Sequence, residues 1–200
     1  MQRAQQRHEA QHRLLDAAVT QLATAGMRGL THRRVEQRAG LAQGSAKYYF
    51  GTSDALIEAV LEQLAARALP LVLEVSPAER AALASGGDSE PLRRRAQQIA
   101  DAMLARTDDV RARFQIYLHA AGQPRLQAMV ATARDQFAEK IAESLPGPGS
   151  DAAARFVCAV IDGILLDQLS APNPTVERYA ARYLLAAGAA GAMMAAESDG

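Results

Sequence analysis

Two hundred residues are enough for one or two domains with a real core, and an apolar content of 49% fits a soluble globular chain. Alanine and leucine dominate while β-branched and aromatic residues are scarce, which points to an all-α fold rather than a sheet. The zero net charge hides an imbalance: residues 1–50 hold eight Lys/Arg against three acids (+5), and the other 150 hold 14 against 19 (−5), as in a polyanion-binding end on an acidic body.

The single cysteine, Cys158, excludes an internal disulfide framework and any multi-cysteine metal site. It sits in an apolar run and reads as a buried, inert thiol. The polar N-terminus lacks the apolar stretch of a secretory signal. The most apolar C-terminal stretch, Leu184 to Ala196, has 13 residues where a bilayer span needs about 20. A cytoplasmic location is expected.

The periodicity predicts a first helix over 6–25, with Leu14, Leu15, Ala18, Val19 and Leu22 forming one apolar stripe and Gly26 as its stop. Thr31 has the chemistry of an N-cap for a short helix, His32 to Ala39. That helix is expected to bury Val35 and Ala39 and to expose Arg33, Arg34, Glu36, Gln37 and Arg38. Gly40 closes it with a positive φ. A second short helix runs from Gln43 to Tyr49, and Thr52 or Ser53 caps the next. That one carries Leu56, Ile57, Val60, Leu61 and Leu64 and reaches Leu69, where Pro70 disturbs it. A break follows at 84–91. Further helices are predicted over 91–106, 108–122, 124–145, 151–170 and 175–196.

Two short helices joined by a Gly-containing turn are the helix-turn-helix signature. The second helix of such a unit enters the major groove, and Gln43, Gly44, Ser45 and Lys47 suit an exposed reading face. Tyr48 and Tyr49 can direct hydroxyls to phosphates, whereas Phe50 reads as a core plug.

The stretch from Arg13 to Leu56 resembles the N-terminal domain of the tetracycline-repressor (TetR) family of bacterial transcription regulators. The resemblance rests on Leu15, Ala17 and Ala18; Ala23 and Gly26; Thr31; Arg38, Ala39 and Gly40; Gly44 and Ser45; Tyr48, Tyr49 and Phe50; and Thr52 and Asp54. It implies phosphate contacts from Thr31, Ser45, Tyr48 and Tyr49. Base-edge readout is expected from Gln43, Ser45, Ala46 and Lys47, with Arg33 and Arg34 near the backbone or groove. The family often has Tyr where Lys47 stands and Lys where Ser53 stands, so one stacking contact is exchanged for a charged one and one phosphate contact is lost. The basic N-terminal extension either reaches along DNA as an arm or is disordered.

The resemblance further implies a helix-turn-helix domain over 1–52 and a ligand-binding and dimerisation domain over 53–200. The homodimer would form through the last two helices (151–170 and 175–196), on a roughly palindromic double-stranded operator. Small residues such as Gly188 and Gly191 in the final helix favour close approach. Met103, Phe114, Tyr117, Met129, Phe137 and Asp162 are the candidates for a small-molecule effector site. Asp162, a carboxylate in an apolar run, needs a partner: a ligand, a neighbouring group or the second subunit. The alternative reading is a helical small-molecule sensor or carrier without sequence-specific DNA binding. No metal-ligand spacing, nucleophile constellation or phosphate loop appears, so neither catalysis nor a cofactor is expected.

Overall fold

A computed structural model describes residues 2–73, 76–79, 89–143 and 150–197, and among these the regular structure is helical throughout. The helices are α1 (Gln2–Gly29), α2 (His32–Ala39), α3 (Ser45–Phe50), α4 (Ser53–Leu73), α5 (Glu90–Leu104), α6 (Thr107–Ala120), α7 (Pro124–Ala142), α8 (Ser150–Ser170) and α9 (Pro174–Glu197). Residues 84–88 of the expected break, and most of the link before α8, lie outside the described residues.

Packing divides the chain into two compact units, Met1–Ala66 with Asp108–Ala133, and Arg67–Thr107 with Arg134–Gly200. The first has a continuous core built on the α1 stripe: Leu14, Ala18 and Leu22 have no exposed surface. Val35 and Ala46 bring in α2 and α3, and Leu56 and Val60 bring in α4. Ala112, Ile116, Leu126 and Val130, from much later in the chain, complete it. Gly26 leaves the helical region at φ 61° and ψ −166°, which marks the expected stop of the long first helix. A side chain there would also meet Gln115, whose Oε1 lies 2.9 Å from the position of a Cβ.

In the second unit Leu92, Ala96, Ala100 and Met103 form the buried stripe of α5, and α9 packs against α8 and α5. Ala138, Ile141, Ala142 and Ala154 make a smaller cluster, with half-buried Phe137 and Cys158 against it. Asp162 finds its partner in a neighbouring group: its Oδ2 accepts from Arg134 Nη1 at 2.6 Å.

Pro70 does not end α4, which continues to Leu73. A proline removes one backbone donor and strains the turn before it. Two carbonyls near it accept from side chains, with Arg106 Nη1 donating to Arg67 O and Arg95 Nη2 to Leu71 O, both at 2.8 Å. At residues 76–79 a capping box forms: the Ser76 N–H donates to Glu79 Oε2 at 2.7 Å, and the Glu79 N–H to Ser76 Oγ at 3.3 Å. The Ser76 backbone N–H, and then its hydroxyl, hold the Glu79 carboxyl below the ordinary carboxylate range.

Candidate nucleic-acid interface

The geometry of α2 follows from its two ends. Thr31 is extended (φ −124°, ψ 145°) and its hydroxyl accepts from the Arg34 N–H at 3.3 Å, satisfying one orphan donor of the first turn. At the other end Gly40 is left-handed (φ 63°, ψ 37°). Its N–H donates to Gln37 O and the Leu41 N–H to Glu36 O, the paired bonds of a Schellman closure. Arg13 of α1 reaches the same corner, its Nη2 donating to Ala39 O at 2.5 Å. This arginine of the basic N-terminal region thus braces the helix-turn-helix.

Helix α3 starts differently. Its N-cap is Gly44, at φ 93° and ψ −11°, which offers no side chain to the first turn. The missing acceptor comes from α2: Glu36 Oε1 accepts from the Ala46 N–H at 2.9 Å. Glu36 was expected on the solvent side, but only 4% of it is exposed. A carboxylate at a helix N-terminus suits both the orphan donors and the helix dipole. Glu36 therefore sets where the second helix begins relative to the first.

One face of α3 is locked inward by Ala46, with no exposed surface, and by Phe50. This corrects one expectation: the Ala46 methyl belongs to the core and is unavailable to a base edge. Phe50 is the core plug anticipated from the sequence. Gln43, Lys47 and Tyr48 are exposed, Ser45 and Tyr49 half-buried, and Thr31, Arg33 and Arg34 exposed on α2 and its cap. Tyr49 packs against the core and meets Tyr48 edge-on, with ring centroids 5.1 Å apart. Tyr48, 65% exposed, projects outward. Arg7 of α1 donates to its hydroxyl, with the guanidinium carbon 5.5 Å from the ring centroid. The N-terminal extension is thus helical and touches the second short helix, a contact that no local sequence pattern announces.

The six effector-site candidates are not brought together in either unit. Phe114 and Tyr117 stack edge-on at 6.1 Å in the first unit, where Tyr117 and Met129 pack against the main core. Phe137 supports the smaller cluster of the second unit, and Asp162 pairs with Arg134. Met103 lines a small recess in the second unit. Its other walls are Ala100, Leu104, Ile161, Ile164, Leu165, Ala180 and Leu184.

Comparison with known proteins gives two family matches: "Bacterial regulatory proteins, tetR family" over residues 14–60, and "Tetracyclin repressor-like, C-terminal domain" over residues 87–190. No curated protein sequence matches the chain. Among solved structures, a TetR-family transcriptional regulator from Rhodococcus sp. aligns with a TM-score of 0.71 at 22% identity, covering 90% of this chain and 96% of that one. A TetR-family member from Streptomyces coelicolor A3 aligns at 0.61 and 26% identity, covering 90% and 98%. The multidrug binding protein EbrR, complexed with ethidium, aligns at 0.60 and 28% identity, again covering 90% and 98%. Regulators of this family are not enzymes; they read DNA with the N-terminal helix-turn-helix and bind ligands with the C-terminal helices. The second match alone spans more than half of the chain, and the chain belongs to the TetR family of DNA-binding transcriptional regulators.

Proposed function

We propose that this chain is a cytoplasmic repressor that binds a roughly palindromic operator as a homodimer and is released or reset by a small molecule. The DNA-reading part is 1–52, and ligand binding and dimerisation lie in 53–200. The observation that carries the reading is the two-sidedness of α3. Its inner face is fixed by Ala46, Phe50 and the Glu36 bond, and its outer face offers Lys47 and Tyr48. In this reading Gln43, Ser45 and Lys47 meet base edges. Tyr48, Tyr49, Ser45, Thr31, Arg33 and Arg34 meet phosphates. The Thr31 hydroxyl caps α2 through its lone pairs and keeps its proton to donate to a phosphate.

Dimerisation through α8 and α9 is supported by Leu166 and Tyr183, large side chains 44% and 43% exposed on those helices. A two-fold pair would set two recognition helices about 34–36 Å apart, one turn of DNA. The lining beside Met103 is aliphatic, so an effector group that opens this recess would be uncharged and apolar. Among the described residues, no helix is long and apolar enough to cross a membrane.

The reading is tested by Lys47→Ala and Tyr48→Ala. Lys47→Ala should cost roughly 1–3 kcal/mol of operator binding and relax preference at one base position. Tyr48→Ala should weaken binding to all DNA sequences about equally. Both variants should remain dimeric. Unchanged affinity in both would remove α3 from the interface.

A further inference from the structure

Among the described residues no group of three or more His, Cys, Asp or Glu side chains could hold a metal ion. Sequence spacing likewise suggests no ligand set of the usual size. Two histidines nevertheless meet. His8 and His12 lie four residues apart on α1, and side chains at that spacing are neighbours on a helix surface. Both are exposed. Their rings stand edge-on at 81°, with centroids 4.3 Å apart, and their Nε2 atoms converge to 3.0 Å.

That separation accommodates one shared proton between two neutral rings. It also matches what two imidazoles need around one metal ion. With metal–nitrogen bonds of about 2.0–2.1 Å, nitrogens 3.0 Å apart subtend roughly 90° at the metal. A tetrahedral ion would hold them about 3.4 Å apart. A right angle between neighbouring imidazoles fits square-planar and octahedral ions, and nitrogen ligands in a tetragonal field favour Cu(II) and Ni(II).

We propose that His8 and His12 form a two-imidazole site for a divalent transition metal of this kind, with water in the remaining positions. The metal bridges one turn of α1 and holds its beginning helical, where an unbridged helix end frays. Arg7, which donates to Tyr48, is the residue next to His8. Metal binding therefore orders the segment that carries a cation to the second helix of the helix-turn-helix.

The test is titration of the untagged full chain with Ni(II), followed by calorimetry and by amide hydrogen exchange over residues 4–13. One ion per chain is expected, with exchange in that segment slowed. Affinity should fall roughly 10-fold or more in His8→Ala/His12→Ala, and the slowing should vanish there. The chain has four histidines, so His32→Ala/His119→Ala serves as the control and should bind as the wild type does. No binding by the wild type, or equal binding by the His8/His12 variant, overturns the site. Loss of binding only in the control variant assigns the metal elsewhere and overturns it as well. Binding without slowed exchange overturns the ordering of α1. No DNA enters the assay, so its outcome is separate from that of the operator reading.

Discussion

Glu36 and the backbone of Ala46 face each other across the turn between α2 and α3, and each leaves the other unsatisfied if removed. Glu36→Ala strands a buried N–H, so stability should drop by about 1–3 kcal/mol, and chemical denaturation measures it. Glu36→Gln keeps a carbonyl acceptor while losing the charge, and should cost clearly less. DNA affinity should fall in the same order, because the exposed face of α3 depends on where that helix starts. Equal losses in the two variants would assign the effect to charge rather than to the hydrogen bond. Thr31, Gly40 and Phe50 were legible in the sequence because each acts within its own turn or its own apolar face. Glu36 was not, since its partner lies ten residues on. One signal is available: a helix whose N-cap is Gly44 has no side-chain cap and needs an acceptor from elsewhere.

Elements are legible in the sequence where periodicity and caps agree, and less so where a distant side chain intervenes. The bounds of α2 coincide with those expected. Helix α4 runs past Pro70, and arginines from α5 and the residues after it donate to carbonyls in its last turns, contacts that no local pattern reveals. The effector candidates share suitable residue types, and type does not say which faces converge. Asp162 needed a partner, and Arg134, 28 positions away, supplies it. Because Asp162 is the more buried member, Arg134→Ala, which takes the arginine away from that carboxylate, should destabilise the second unit more than Asp162→Ala does. Thermal unfolding of the two variants ranks them. The capping box at 76–79 gives a pH dependence. Hydrogen bonds to its carboxylate lower the folded-state pKa of Glu79, so its contribution is present above the unfolded pKa and is lost as pH falls through the lowered folded value. An NMR titration should find this carboxyl ionising below an ordinary glutamate, and Ser76→Ala should raise it.

Across the whole molecule, the charge division seen at the outset falls into place. Seven arginines and one lysine gather in the first 50 residues, where Lys47, Arg33 and Arg34 are exposed and Arg13 and Arg7 hold the helix-turn-helix corner and Tyr48. That concentration draws any polyanion; in the proposed reading, sequence preference comes from α3. The two contributions separate under salt, because phosphate contacts weaken with ionic strength in proportion to the counterions they release, about 0.9 per contact. The most direct test of the central claim is selection from random duplexes by the purified protein, followed by affinity measurements across salt for the selected site and a scrambled control. An enriched, roughly palindromic site, bound on the order of 10³-fold or more above the control, is the predicted result. No enrichment, with weak and strongly salt-dependent binding to both duplexes, would contradict it.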